Sequence, residues 1–243
     1  MKKSSHSVLG ENIRTLVYAV LIALGIRTFF YEPFNIPSGS MKPTLYIGDF
    51  LFVSKYAYGY SRYSLPGGFD LFEGRIMEAL PERGDIAVFK YPRDNATDYI
   101  KRIIGLPGDR IQVQRGVLYI NDRPVPRERI EDFIDPEEGT RIAQYVETLP
   151  NGVRYHTLDV TSQGEVDDTP VYTVPPGHLF AMGDNRDNSI DSRYLGQVGF
   201  VPVVNLVGRA EVIFFSVGSD ARWWQVWRWP TALRFERFFD GLS

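Results

Sequence analysis

From Thr15 to Ile26 the chain reads TLVYAVLIALGI without a charge, and after Arg27 the apolar character resumes in TFFY before Glu32. Few structures can hold such a run. In hydrocarbon a single segment must satisfy its own backbone hydrogen bonds, which leaves the helix. A spanning helix needs roughly 20 mostly apolar residues. This one reaches that length when the Arg27 guanidinium snorkels to the interface beside Phe29, Phe30 and Tyr31. The reading is a transmembrane anchor over 14–31 in a lipid bilayer, preceded by a short stub over 1–13. Lys2, Lys3 and Arg14 lie before the segment and only Lys42 follows closely, so the positive-inside rule leaves the stub in the cytoplasm and the bulk of the chain outside. Two alternatives remain open. One is a buried core helix; the other is a secretory signal peptide cut near Ala23-Leu24-Gly25, although that tripeptide lies inside the apolar run with no polar stretch before it.

At 243 residues, 44% of them hydrophobic, the chain can bury a core outside this segment. A formal charge of −3 supplies no basic field for gripping phosphates, so nucleic acid is not an expected partner. The absence of cysteine removes disulfides, thiolate ligands and a cysteine nucleophile. His6, His156 and His178 are scattered without ligand spacing, so no metal or other cofactor is expected, and no serine–histidine pair is on offer. Nothing in the composition assigns an oligomeric state.

Beyond Glu32 the chain reads as short strands and turns: GDFLFVSKY, RGDIAVFKY, DYIKRIIG, DRIQVQRGVLYIND, TPVYTVPPGHLFAMGD and VPVVNLVGRAEVIFF. Each is rich in β-branched or aromatic residues and bounded by Gly, Pro, Asp or Asn. No helical periodicity follows the anchor, so the body is expected to be all-β. Between 115 and 172 charge and turn residues dominate, which suggests a smaller inserted domain between a first part of the core, 32–114, and a second, 173–243. The tail RWWQVWRWPTALRFERFF mixes rings with arginines, a composition that fits either a core or a membrane-proximal surface.

Three stretches carry chemistry. In IPSGSMKPTL, Pro37 and Pro43 stiffen a loop holding two hydroxyls, Ser38 and Ser40, and Gly39 is expected to permit a backbone that other residues avoid. A surface turn would use the same letters. A serine that attacks needs a proton acceptor. In DYIKRIIG a strand places Tyr99, Lys101 and Ile103 on one face and Ile100, Arg102 and Ile104 on the other. Arginine cannot give up its proton, whereas a desolvated lysine can be driven neutral; a solvated edge lysine is the plain alternative. GDNRDNSIDSR fails as a calcium loop, because Ile190 stands where Gly is needed and Gly196 where Glu is needed. It can be a turn held by side-chain hydrogen bonds, or a polar shelf on which Ser189 orients a neutral lysine while Asp191 and Arg193 pair.

With these segments in order, the chain resembles the type I signal peptidases, the membrane-anchored serine proteases that remove signal peptides from exported precursors. The likeness runs through FNIPSGSMKPTLYIGDFLFVSKYAYG, RGDIAVFKYP, DYIKRIIGLPGDRI, GDNRDNSIDSR and NLVGRA, and covers most of the chain outside 115–172. It implies a signal-peptidase-like β body at the inner membrane with its catalytic part on the outer side. It also implies Ser40 as nucleophile, Lys101 as general base, and Ser38 with the Ser40 N–H as oxyanion hole. Ser189 matches the serine that orients the lysine, with Asp191 and Arg193 in support. Phe34, Ile36, Pro37, Met41, Tyr99 and Ile100 match positions lining pockets for small side chains, and the partners implied are signal-peptide-bearing precursors cut at A-x-A-like sites. RYLGQVGFVP is longer than the family's usual link after Arg193. The rivals are another Ser-Lys processing peptidase with a specialised substrate, and a membrane-tethered β-domain that only binds exported chains.

Overall fold

One helix and a set of antiparallel strands make up residues 5–64, 74–161, 163–218, 227 and 232–242, the parts of the chain described by this computed structural model. Helix α1 spans Ser5–Phe29, and its Gly10–Phe29 stretch is apolar and long enough to cross a membrane. None of that stretch is buried against the protein, which removes the core-helix alternative. The helix starts before residue 14 and stops two residues short of 31, because from Tyr31 the backbone is claimed by strand pairing. Arg27 turns to Glu32 at 3.0 Å.

In chain order the strands longer than two residues are β1 (Tyr31–Asn35), β2 (Asp49–Ser54), β3 (Ile86–Lys90), β4 (Asp98–Gly105), β5 (Arg110–Gln114), β6 (Val117–Ile120), β7 (Arg127–Arg129), β8 (Arg141–Thr148), β9 (Arg154–Asp159), β10 (His178–Met182) and β11 (Leu206–Ser216). The body is all-β. Its main sheet is antiparallel in the order β1-β2-β11-β3-β4-β10, extended by two-residue strands at Val201–Pro202 and Asp240–Gly241. Register shifts where β11 passes β2 and β3, and where β10 meets β4, mark bulges that add twist and curl the sheet. β7, β8 and β9 form a second sheet with Phe133–Ile134, centred on β8. β5 and β6 form a third with Tyr172–Thr173 and Arg123–Pro124.

Three apolar clusters hold these layers. One, with Ile36, Met41, Leu45, Leu51, Val88 and Ile213, lies beneath the Ser38–Ser40 loop. A second contains Phe89, Ile103, Leu179 and Leu206. A third joins the main sheet to its neighbours through Ile104, Ile111, Leu149, Tyr155 and Phe180. β4 feeds all three clusters, through Ile100, Ile103 and Ile104, so it is a central strand covered on both sides rather than a half-solvated edge.

Candidate active site

The Ser38–Ser40 loop is built by short-range hydrogen bonds. Ile36 and Asp49 close its base, where the Ile36 N–H donates to the Asp49 carbonyl at 2.8 Å and the Gly48 N–H to the Ile36 carbonyl at 3.0 Å. Ser38 is extended, and Gly39–Met41 form one 3-10 turn closed by the Lys42 N–H on the Gly39 carbonyl at 3.1 Å. Gly39 is not among the residues at positive φ, contrary to its expected role. It matters as empty space: a Cβ there would lie 3.3 Å from both Cδ and Cε of Lys42.

Lys101 sits opposite Ala87 of β3, a small neighbour, and its side chain is buried, with the residue 4% exposed. Nζ lies 2.7 Å from Ser40 Oγ and 2.9 Å from the Ile100 carbonyl. Burial pushes the amine down from 10.5 to about 8, against the pull of Asp191 and Asp184 and with the help of Arg193. A lysine near neutrality beside a hydroxyl has the geometry for proton transfer between them. Ser38 Oγ is 3.5 Å from Ser40 Oγ.

The 183–193 loop closes over this pair. Asn185 holds the serine turn with two bonds, its N–H to the Ser40 carbonyl at 3.1 Å and Nδ2 to the Gly39 carbonyl at 3.0 Å. Gly183 is required by contact: a Cβ would meet Ser189 Oγ at 2.2 Å and the Ser40 carbonyl at 2.5 Å. Arg193 grips Asp191 through Nε and Nη2, both at 2.9 Å, and the Gly183 N–H donates to the same carboxylate at 2.9 Å. Burial would raise the Asp191 carboxyl, but Arg193 and these hydrogen bonds hold it below its ordinary value. Ser189 Oγ is buried at the cleft on the Asp191 side, and Lys101's second partner is the Ile100 carbonyl rather than this hydroxyl. Arg186, unnoticed in the sequence, is buried on Glu147 of β8 at 2.8 and 2.5 Å and on Tyr155 of β9 at 3.0 Å.

A cleft of about 430 Å³ opens on Ser38, Ser40, Lys101 and Ser189, with Pro37, Tyr99 and Ile100 on its walls. Ile36 and Met41 do not reach it; they point into the core beneath, and Phe34 packs on the same cluster. No histidine is among the residues lining the cleft. Asp159, Asp167 and Asp187 bring carboxylate oxygens within 4.8 Å of one another at one end of the site, the one acidic group spaced for an ion among the described residues, and Asp159 is already paired with Arg127.

The sequence matches the signal peptidase, peptidase S26 family over residues 9–215. The chain belongs to this family. Signal peptidase I of Rickettsia canadensis (strain McKiel) is 40% identical over 261 residues, covering 99% of this chain and 96% of the relative. That of Rickettsia typhi (strain ATCC VR-144 / Wilmington) is 40% identical over 258 residues, covering 98% and 96%. A crystal structure of a signal peptidase I from Enterococcus faecalis V583 aligns at 29% identity over 54% of this chain and 97% of that one, with a TM-score of 0.32. As a member of the signal peptidase family the protein is a hydrolase, a peptidase of the serine class.

Proposed function

We propose that this peptidase removes signal peptides from exported precursor proteins, with Ser40 as nucleophile and Lys101 as general base. The observation that carries the reading is the 2.7 Å approach of Nζ to Oγ at a lysine that burial lowers to about 8. In the neutral form the Nζ lone pair accepts the Ser40 proton as Oγ attacks the scissile carbonyl. The Ser40 N–H and the Ser38 hydroxyl receive the developing oxyanion. The lysine returns its proton to the leaving amine, an acyl-enzyme remains, and the same lysine then draws a proton from the water that hydrolyses it. Ser189, Asp191 and Arg193 support the lysine's surroundings.

Substrate enters as a strand. β10 pairs with β4 only from Arg102 onward, so the Asp98–Lys101 backbone has no strand on that side among the described residues, and an extended peptide fits there. The walls at Pro37, Tyr99 and Ile100 favour small side chains before the cut. Phe34, Ile36 and Met41 act from below, by shaping the floor on which this wall rests.

The anchor is α1, with the N-terminus in the cytoplasm and the catalytic body, 32–114 and 173–243, on the outer side of the inner membrane, interrupted by the smaller domain 115–172. A run of rings supports contact with lipid: Phe29 meets Tyr60, Tyr31 meets Phe52, and Phe52 stacks on Phe214 at 4.2 Å. Trp227 is exposed, while 223–226 and 228–231 of the tryptophan-rich tail lie outside the described residues.

Incubating the purified protein in detergent with a precursor bearing an A-x-A site, and mapping the products by mass spectrometry, tests the reading. One cut after the second alanine is expected, and none from Ser40→Ala. An intact precursor, or a cut that survives Ser40→Ala, removes it.

A further inference from the structure

We infer that Lys42 is a positioning residue for Ser40, anchored on the 135–139 turn of the 115–172 region. The inference rests on the Ser40–Lys101 reading above. Lys42 follows Met41 directly, and its side chain is covered, with the amine bonded to Asp135 Oδ2 at 2.7 Å and to Glu137 Oε2 at 3.1 Å and the three side chains 5%, 4% and 15% exposed. Burial would lower this amine, but the two carboxylates hold it above its ordinary value, so it is a permanent cation here and takes no part in proton transfer.

A buried ion network of this kind is a poor source of stability, since desolvation offsets most of the attraction and an apolar residue of similar size packs about as well. What charge adds over packing is a fixed partner at a fixed distance. The anchor end is itself braced. Asp135 Oδ1 accepts the N–H groups of Glu137 and Glu138 at 2.9 and 3.3 Å, and Glu137 Oε1 is met by Arg234 at 3.4 Å, which in turn reaches Asp49 and its partner Arg237. At the other end, the methylenes of Lys42 run along Gly39 closely enough that a Cβ there would touch two of them at 3.3 Å.

The Gly39–Ser40 peptide is therefore held at two points: Asn185 Nδ2 bonds its Gly39 carbonyl, and the Lys42 stem packs beside the Gly39 Cα. That peptide carries the N–H assigned to the oxyanion. Its orientation is set by a lysine whose charge is 93 residues away from its counter-charge in sequence.

The test uses the full chain in detergent micelles and an A-x-A peptide, with active sites counted by exhaustive labelling of Ser40 with a serine-directed acylating inhibitor. For Lys42→Met we expect kcat per labelled site to fall about tenfold or more while KM stays within about twofold, as a sub-ångström misplacement of reacting groups gives. Lys42→Arg, which keeps the charge and the reach, restores most of the rate. Asp135→Asn retains the lysine and loosens its anchor, so it lowers kcat in the same direction and decides the matter if Lys42→Met does not fold. Wild-type kcat per labelled site in both Lys42→Met and Asp135→Asn, whatever their melting temperatures, overturns the positioning role alone. A wild-type protein whose Ser40 takes no label overturns the Ser40–Lys101 reading, and this inference with it.

Discussion

Arg102 and Asp184 join through two hydrogen bonds, Nε to Oδ1 at 2.9 Å and Nη2 to Oδ2 at 2.7 Å, with side chains only 2% and 1% exposed. Arg102 is the neighbour of Lys101 on β4, and Asp184 belongs to the loop that carries Ser189. Thr44 Oγ1 donates to the same carboxylate at 2.6 Å, so one side chain ties together the lysine strand, the segment after Ser40 and the 183–193 loop.

Removing one partner of a buried pair leaves the other charge uncompensated, which costs about 3–5 kcal/mol. Asp184→Asn is therefore expected to lower the unfolding free energy by that much, read as a lower urea midpoint, and to lower activity further than the folded fraction alone explains. A midpoint within error of wild type would show that water reaches Arg102 in solution.

Ser40→Ala is expected to abolish cleavage, whereas Ser38→Ala keeps a remnant about 10² to 10³ below wild type, as loss of one oxyanion donor gives. Single-turnover rates on an A-x-A peptide separate the two. A dead Ser38→Ala beside a live Ser40→Ala reverses their roles.

As the proposed base, Lys101 has to be neutral to act, and burial lowers it to about 8. The rate should thus fall about tenfold per pH unit on the acid side of that value and level off above it. Lys101→Arg, cationic at every pH measured, should be folded by circular dichroism and inactive throughout pH 6 to 11. Appreciable cleavage by a folded arginine variant would send the search for the base elsewhere.

The same lysine burdens the fold. Its folded value, about 8, lies below the ordinary 10.5, so the unfolded chain binds more protons between the two. The penalty is full below about 8 and vanishes above 10.5. Lys101→Met should be more stable than wild type near pH 7, by up to about 3 kcal/mol in unfolding free energy from denaturant titration, with the gain shrinking as pH rises to 10.5. A gain independent of pH would point to packing rather than charge.

Gly183→Ala puts a methyl where Ser189 Oγ and the Ser40 carbonyl already stand, at 2.2 and 2.5 Å. It is expected to abolish cleavage in protein that still folds, because the 183–193 loop must retreat from the serine turn. Crystallography or Ser40 labelling of the variant would detect that retreat, and undiminished activity would exclude it.

The parts of this arrangement legible in the sequence are those set by neighbours in the chain. The uncharged run at 15–26 predicts a lone apolar helix, and the alternation of DYIKRIIG places Tyr99 and Ile103 on one side of β4 and Ile104 on the other. The Asp191–Arg193 pair is two residues apart and could be proposed from spacing. Illegible were the contacts whose partners come from afar: Lys42 on Asp135, Arg102 on Asp184, Arg186 on Glu147. Each cation reads as an ordinary surface charge until the fold brings its carboxylate. Gly39 misled for another reason. A glycine between two prolines suggests an unusual φ, whereas the space it leaves is taken by the side chain three residues on.

β11 lies between the pair of strands that bears the serine loop and the pair that bears the lysine. It is also the last long strand to be synthesised, ending at Ser216. A chain still emerging from the ribosome has both Ser40 and Lys101 long before it has the strand that lies between their two pairs. The approach of Ser40 to Lys101 therefore waits on a strand made more than a hundred residues after the lysine.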